Sequence, residues 1–331
     1  MKRRVFLAVL GLALLCVVWL GISTRPSHAP TQAAPATVRI AYKANAAYQH
    51  FFVAMEKGCF EKLGIKVVPV EFESTNEMLE SLVAGRVEVT SGSSTEVIGM
   101  VQQNSPGVVK VFLASVWRKD NPFDFLLVAK DSAITTIEQL KGKKVATIPG
   151  STPVNWLQLI FAKYFDPKKD IDIIETSPRL QLQALAAKQV DAVYTVEPVV
   201  TIGEVKGISR VLKAGPIHDV LMDELPAGLA AMSTRFIKEN PTAAQGVISA
   251  LEQAVDFIRA NPGETKTITA KYTKLDLQVA SRLKVFEYWK RGEIKVEVVQ
   301  QYLDFLAEHQ ILAKRVSARD MLLGPAILPS K

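Results

Sequence analysis

The motif PGSTP, residues Pro149–Pro153, ends a short apolar strand and opens a helix, and this junction constrains the fold more than any other stretch. Three of the four residues before it, Val145–Ile148, are apolar, and the stretch suits a buried strand. Thr152 at the N-cap and Pro153 at the first helical position predict that a helix begins here. The stretch is therefore interpreted as one strand–turn–helix unit.

Such a junction is also a candidate anion site. The first N–H groups of a helix have no partner within the helix, and the helix dipole places partial positive charge at the same end. The hydroxyls of Ser151 and Thr152 lie beside these groups, and Gly150 allows a ligand to approach the backbone. The alternative interpretation is a well-capped helix that binds nothing.

Strands and helices alternate along the chain from Val38 onwards, which predicts an α/β fold with mostly parallel sheets. Two helix starts carry a capping box, Ser74 with Glu77 and Ser93 with Glu96. Residues 73–88 and 175–191 share one plan: a strand end, a hydroxyl cap, an apolar helix and a valine–acid pair. This partial repeat predicts two lobes of the same architecture.

The predicted lobes are discontinuous in sequence. Residues 37–126 and 228–331 form lobe one, and residues 127–227 form lobe two. The last part of the chain is predicted to be helical, with helices at Pro241–Arg259, Leu277–Lys290 and Lys295–His309.

The first 36 residues are predicted to be a signal peptide or an N-terminal anchor. Three basic residues precede an unbroken apolar run over residues 5–22, and Ala34–Ala36 fits an A-x-A cleavage site. The run approaches membrane-spanning length, so an uncleaved anchor is the alternative to cleavage. Both interpretations predict an exported protein, periplasmic and in the second case anchored through residues 5–22.

Charge and motifs argue against several function classes. The net charge is +7, and the four basic residues of the first 36 leave about +3 on the rest, too little to favour nucleic acid. Metalloprotease, P-loop and nucleophile-elbow motifs are missing from the sequence, so no catalytic site, metal or cofactor is predicted. A nucleophilic Ser93 with His50 as its base is conceivable, but helix capping accounts for Ser93 more simply.

Four segments in order along the chain carry a family resemblance. They are residues 50–67 (HFFVAMEKGCFEKLGIKV), 82–89 (LVAGRVEV), 136–146 (TIEQLKGKKVA) and 190–198 (VDAVYTVEP). The set resembles the substrate-binding proteins of bacterial ABC importers, in the branch of nitrate, aliphatic sulfonate, taurine and thiamine-precursor receptors that includes the NMT1-like proteins. The resemblance spans about residues 37–313.

The resemblance implies a two-lobed periplasmic-binding-protein fold of type II, which closes on its ligand by hinge bending. It implies a monomeric solute receptor that binds a small anionic or zwitterionic ligand, performs no chemistry and delivers the ligand to ABC permease subunits. Matched position by position, it implies a ligand shell of Tyr42, Lys43, Asn45, Ser91, Ser93, Ser94, Trp117, Gly150, Ser151, Thr152 and Glu197.

Several alternatives stay open. Trp117 also suits core packing, Lys43 also suits a solvated loop, and Glu197 also suits a cap on the helix that Pro198 opens. At the level of function, the alternatives are a receptor for a thiamine precursor or another heterocycle, a pyrimidine-synthase-like enzyme on the same fold, and a membrane-anchored sensory or scaffold module.

Overall fold

The computed structural model describes residues 35–324, and eleven strands lie within this range. They are β1 (Ala36–Tyr42), β2 (Ile65–Glu71), β3 (Val89–Ser94), β4 (Val109–Trp117), β5 (Asp124–Ala129), β6 (Lys144–Thr147), β7 (Asp172–Glu175), β8 (Ala192–Val196), β9 (Ser209–Ala214), β10 (Leu225–Ser233) and β11 (Glu287–Trp289).

Twelve α-helices lie in the same part of the chain. They are α1 (Gln49–Glu56), α2 (Thr75–Val83), α3 (Thr95–Asn104), α4 (Ser151–Phe161), α5 (Pro178–Ala186), α6 (Val199–Val205), α7 (Thr234–Glu239), α8 (Pro241–Ala260), α9 (Pro262–Thr273), α10 (Leu277–Arg282), α11 (Val296–Glu308) and α12 (Ala318–Met321).

The strands form two sheets, which define the two lobes. The sheet of the first lobe has the order β11-β4-β10-β3-β1-β2, and the sheet of the second has the order β7-β6-β8-β5-β9. Helices flank both sheets. Six of the twelve helices, α7–α12, follow β10 and make up most of the last part of the chain. The predicted α/β class with a helical C-terminal section is confirmed.

The sheets are mixed, so the expectation of mostly parallel sheets is wrong in this detail. In the first lobe β1 runs parallel to β2 and β3, whereas β10 runs antiparallel to β3 and β4, and β11 antiparallel to β4. In the second lobe β6 is parallel to β7 and β8, whereas β5 is antiparallel to β8 and β9. Helical crossovers connect the strands that pair in parallel. Strands β5 and β10, at which the chain passes from one lobe to the other, follow no such crossover within their own sheet.

The core of the first lobe follows from the periodicity of its elements. Val38 and Ile40 alternate along β1 and are fully buried. On α8, Val247, Leu251 and Val255 recur every four residues and are also fully buried, which gives the long helix one apolar face. Helix α8 packs against α1 and the sheet.

The helix starts differ from the sequence expectation at two places. Helix α4 begins at Ser151 with Gly150 as its N-cap, two residues before the predicted start, because Gly150 adopts a φ of 121° that other residues rarely adopt. Helix α3 is capped by Ser94, whose Oγ accepts a hydrogen bond from Val97 N, and not by Ser93.

The predicted helix over Leu277–Lys290 is correct only in its first half. Helix α10 ends at Arg282, and β11 then pairs with the edge strand β4. Pairing with a distant strand here outweighs the local helical pattern. The predicted helices at Pro241–Arg259 and Lys295–His309 agree with α8 and α11 to within one residue at each end.

The predicted signal or anchor, residues 1–36, lies almost wholly outside the described residues. Among residues 35–324, the structure contains no helix with the length and apolar character needed to cross a membrane. The predicted lobe limits at 126/127 and 227/228 fall within β5 and β10 and stay a prediction.

The start of α2 offers a test of the capping assignment. Ser74 Oγ accepts hydrogen bonds from Asn76 N at 3.1 Å and Glu77 N at 3.3 Å. We expect Ser74→Ala to lower the free energy of unfolding by about 1 kcal/mol in urea titrations, and Ser74→Asn to retain most of it. Equal losses in both variants would contradict capping as the role of Ser74.

Candidate functional site

A cavity of about 110 Å³ lies between the two sheets. It is built largely at the carboxyl ends of β1, β3, β4, β6 and β8, where an open α/β sheet places its ligands. The first lobe contributes Lys43, Asn45, Ala47, Tyr48, Thr75, Gly92, Ser93, Ser94, Ser115, Trp117, Ala227 and Gly228. The second lobe and the passage into it contribute Asp124, Ile148, Pro149, Thr152, Pro153, Trp156, Tyr194 and Val196.

A second hollow of about 410 Å³ shares Lys43, Asn45, Ile148 and Val196 with this cavity, and we call it the cleft entrance. Charged side chains surround it, among them Glu71, Glu73, Arg179, Glu197 and Lys274.

Three helices begin at one point between the lobes. Thr75 opens α2, Ser94 caps α3, and Thr152 lies in the first turn of α4. Ser94 Oγ lies 2.8 Å from Thr152 Oγ1 and 3.5 Å from Thr75 Oγ1. Ser151 N donates to Asn76 Oδ1 at 3.2 Å. The positive ends of three helix dipoles therefore meet at a polar corner of the cavity.

Further contacts join the lobes behind this corner. Asn155 Nδ2 donates to Glu96 Oε1 at 2.8 Å, and Trp156 Nε1 donates to the hydroxyl of Tyr302 at 3.0 Å. Burial raises the pKa of Glu96, whose side chain is fully enclosed. The lobes touch directly around the cavity, so the structure represents a closed arrangement.

Aromatic side chains form much of the remaining wall. Trp117 and Trp156 meet edge to face, with ring centroids 5.4 Å apart. Tyr48 donates its hydroxyl proton to Gly92 O, and Tyr194 donates to Asp124 Oδ2 at 3.0 Å. With their hydroxyls occupied, these two tyrosines present mainly ring surface to the cavity.

Asp124 is the acidic residue of this wall, and it is fully buried. Its Oδ2 accepts hydrogen bonds from the Tyr194 hydroxyl and from Ile217 N, both at 3.0 Å, whereas Oδ1 has no partner among residues 35–324. Burial raises the pKa of Asp124 to about 6, against the opposing effects of the Ile217 N–H and of His218.

Lys43 is the cationic residue of the cavity wall, and it also borders the cleft entrance. Burial lowers its pKa to about 8, and the nearby Glu73 carboxylate partly offsets this effect. Lys43 thus retains most of its positive charge at neutral pH, near the polar corner at which three helices begin.

The structure brings six of the predicted site residues to the cavity wall: Lys43, Asn45, Ser93, Ser94, Trp117 and Thr152. Ser93 Oγ and Trp117 Nε1 are buried and have no hydrogen-bond partner within the described range. Trp117 packs on Phe123 and Phe286 and also lines the cavity, so the packing interpretation is compatible with a place in the wall. A contact between Trp117 and a ligand stays a prediction.

Four predicted residues lie outside the lining of the cavity. Tyr42 packs on Phe51, with ring centroids 5.2 Å apart. Ser91 Oγ donates to Ala41 O at 2.9 Å. Gly150 N donates to the carboxylate of Glu175, and Ser151 bonds to Asn76. These residues support the wall from behind or from the side.

Glu197 acts as a helix cap in this structure. Its two carboxylate oxygens accept hydrogen bonds from Thr201 N at 3.1 Å and Thr201 Oγ1 at 3.0 Å, in the first turn of α6. The side chain borders the cleft entrance and not the inner cavity. Burial raises the pKa of Glu197.

Sequence reasoning missed Tyr48, Thr75, Asp124, Trp156 and Tyr194. Trp156 carried a usable signal, because it follows Thr152 by four residues and so lies on the same face of α4. Tyr194 belongs to the segment that carries the family resemblance, but its neighbours there do not show that it contacts Asp124. Asp124 carried no local signal at all.

The conceivable Ser93–His50 pair is not formed. His50 Nε2 lies 2.6 Å from Ser91 O, and burial lowers the pKa of His50 to about 4. Among the residues that the structure describes, no group of three or more His, Cys, Asp or Glu side chains could hold a metal ion.

The comparisons with known proteins place the chain in a family. The model of the NMT1-like family matches residues 31–273, which is well over half of the chain. The protein therefore belongs to the NMT1-like family, as the four segments described above suggest.

One relative and two solved structures illustrate the similarity. A Bacillus subtilis (strain 168) protein proposed to bind aliphatic sulfonates is 26% identical over 277 residues, covering 82% of this chain and 81% of its own. The alkanesulfonate-binding protein SsuA from Xanthomonas axonopodis pv. citri, bound to MOPS, is 24% identical, covers 88% of this chain and 99% of its own, and superposes with a TM-score of 0.71. The desulfurization enzyme DszB is 13% identical over 88% of this chain and 97% of its own, with a TM-score of 0.62. The structural likenesses show a shared fold, on which an enzyme also occurs.

The burial of Asp124 predicts a pH-dependent stability. Its pKa of about 6 in the folded protein exceeds the ordinary value of about 3.9, so the folded state holds the proton more tightly. The resulting stabilisation is complete below about pH 4 and is lost as the pH rises to about 6 and beyond, by roughly 3 kcal/mol.

Asp124→Asn removes this titration and keeps an acceptor for Tyr194 and Ile217 N. In urea unfolding of ligand-free protein, we expect the variant to gain stability over the wild type at pH 8 and to lose most of that gain at pH 4.5. A difference between the two proteins that stays constant with pH would contradict this account of the Asp124 environment.

Proposed function

We propose that this protein is the solute-binding receptor of an ABC importer and that it binds a small organic anion or zwitterion of the aliphatic sulfonate class between its lobes. The observation that carries the proposal is the meeting of three helix N-termini at one corner of the cavity. Unpaired N–H groups and hydroxyls at helix starts suit the oxygens of an anionic head group. The relatives that bind sulfonates support this choice of head group.

The size and lining of the cavity support a small ligand with an apolar body. A volume of about 110 Å³ exceeds the space of a single water molecule and is well below that of a drug-sized pocket. Trp117, Trp156 and Tyr194 offer ring surface for a short alkyl chain. Lys43 supplies positive charge from the side of the cleft entrance.

Binding is coupled to lobe closure in this proposal. The Ser94–Thr152 and Glu96–Asn155 hydrogen bonds exist only when the lobes meet. A ligand that contacts both lobes stabilises the closed arrangement by its differential affinity for the closed and open states. The closed, loaded receptor then docks on the permease subunits and opens there.

The protein performs no chemistry on its ligand, requires no cofactor, and acts as an exported monomer outside the inner membrane. Two observations support this part of the proposal: His50 Nε2 contacts Ser91 O and does not pair with Ser93, and binding proteins occur among the relatives. A thiamine-precursor receptor on the same fold stays the second candidate, because aromatic walls also suit a flat heterocycle.

The ligand class is testable by thermal shift on protein stripped of bound solute. The panel holds ethanesulfonate, taurine, nitrate, bicarbonate and a thiamine-precursor pyrimidine. A ligand at about a hundred times its dissociation constant stabilises the protein by roughly 2.7 kcal/mol, which raises the melting temperature by several degrees. A response to sulfonates without turnover would support the proposal, and consumption of a panel member would contradict it.

Thr152→Val tests the polar corner with little change in shape. The variant loses the hydroxyl that bonds to Ser94 across the cleft, and we expect about a tenfold weaker sulfonate affinity in titration calorimetry. Thr147→Val is the matched control, because Thr147 is buried in β6, does not line the cavity, and has no partner for its hydroxyl among residues 35–324. Equal affinities in the two variants would remove Thr152 from the site.

A further inference from the structure

Three polar atoms of residues that line the inner cavity are buried without a hydrogen-bond partner among residues 35–324. They are Asp124 Oδ1, Trp117 Nε1 and Ser93 Oγ. The residues are 0%, 8% and 1% exposed. Buried polar groups are nearly always paired in folded proteins, because an unpaired buried group loses the hydrogen bonds it makes to water and gains none in return. Three such atoms around one cavity therefore indicate what a bound molecule must supply.

The three atoms differ in whether they need a hydrogen-bond donor or an acceptor as partner. A carboxylate oxygen only accepts hydrogen bonds, an indole N–H only donates, and a serine hydroxyl does either. A simple inorganic anion such as nitrate satisfies Trp117 and Ser93 but leaves Asp124 unpaired beside a second negative charge. A molecule that satisfies all three carries a hydrogen-bond donor as well as an acceptor.

Among the described residues, no group near Asp124 donates a hydrogen bond to its Oδ1. The Tyr194 hydroxyl and Ile217 N both donate to Oδ2. His218 lies near enough to lower the pKa of Asp124; its Nδ1 lies 2.8 Å from Met222 O, and its Nε2 makes no hydrogen bond to Asp124 among the described residues. Lys284 Nζ donates to the carbonyl oxygen of Pro122, two residues before Asp124, at 3.1 Å. No salt bridge involves Asp124 among residues 35–324.

We propose that the ligand of this cavity is zwitterionic, with an N–H donor that binds Asp124 Oδ1 and an acidic group that accepts from Trp117 Nε1 and Ser93 Oγ. Small ω-amino acids with a sulfonate or a similar acid group have this chemistry. The inference rests on the proposed function and deepens it: Asp124, and not Glu197, selects the ligand. Glu197 already binds Thr201 with both oxygens and lies at the cleft entrance.

Three ligands of one skeleton isolate the donor. Taurine, isethionate and ethanesulfonate share a two-carbon sulfonate and end in an ammonium, a hydroxyl and a methyl group. In titration calorimetry at pH 7.5, we expect taurine to bind at least ten times more tightly than ethanesulfonate, with isethionate between them. The preference should shrink when the pH falls below about 6, because Asp124 is then protonated.

Variants of two carboxyl residues show which of them is responsible for the preference for taurine over ethanesulfonate. Asp124→Asn should reduce the taurine-to-ethanesulfonate ratio to about one, chiefly by weakening taurine. Glu197→Gln should leave the ratio as in the wild type, whatever it does to overall affinity. Loss of the ratio in the Glu197 variant, with the ratio retained in Asp124→Asn, would overturn the inference. Circular dichroism and urea unfolding establish that both variants fold.

Trp117→Phe completes the set by removing one N–H while keeping an aromatic ring. It should weaken taurine and ethanesulfonate by the same factor, several-fold, because both carry the sulfonate that accepts from the indole. A loss confined to taurine would contradict the assignment of Trp117 to the acidic group.

The remaining outcomes separate this inference from the proposed function. If the three sulfonates bind with equal affinity, the inference is wrong and the sulfonate receptor stands. If none of them binds, the sulfonate class is wrong, and β-alanine against propionate and 2-aminoethylphosphonate against ethylphosphonate provide the same comparison. A preference for the amine in either pair that Asp124→Asn abolishes would uphold the inference, and no preference or no binding would overturn it.

Discussion

The hydrogen bond between Ser94 Oγ and Thr152 Oγ1 connects the beginnings of two helices that belong to different lobes. Each hydroxyl lies where a strand passes into a helix, Ser94 at the end of β3 and Thr152 five residues after the end of β6, and each strand belongs to its own sheet. The contact therefore depends on both sheets and on the angle between them. Because it forms between two helix N-termini, it also brings like partial charges together, which is unfavourable unless hydroxyl oxygens or a bound anion lie between them. The contact between the lobes and the proposed anion site therefore coincide at the polar corner.

Local chemistry explains which parts of this arrangement could be predicted. Caps, glycine turns and apolar periodicity act over a few residues, so the strand–helix junctions, with Thr152 at one of them, follow from the chain itself. The full set of six predicted residues on the cavity wall comes from the family resemblance. The exact start of α4 does not follow from the chain, because Gly150 has a φ of 121° in a turn that also contacts Asn76, 75 residues before Ser151. The alternation of strands and helices predicts the α/β class. It does not predict that β5 and β10 run antiparallel to their neighbours, because their direction is set where the chain passes between the lobes.

Distance along the chain explains what could not be predicted. Asp124 obtains its surroundings from Tyr194 and Ile217, which are 70 and 93 residues away. A lone aspartate at the start of the apolar segment DFLLVA looks like a surface residue at a strand end. Glu197 shows a different limit, because its partner Thr201 is only four residues away. A glutamate before proline suits a helix cap and a ligand contact equally well, and only the conformation of the following turn brings Thr201 to its carboxylate.

The buried polar atoms of the cavity relate specificity to closure. A closed, ligand-free cavity leaves Asp124 Oδ1, Trp117 Nε1 and Ser93 Oγ without partners, whereas an open cleft exposes them to water. Their desolvation therefore opposes closure of the free receptor. A ligand that pairs all three removes this cost, and one that pairs only two retains part of it. With the proposed zwitterionic ligand, the same three side chains penalise closure around the wrong solute. Selectivity is then a difference in the population of the closed state that the proposed permease meets, in addition to a difference in contact energy.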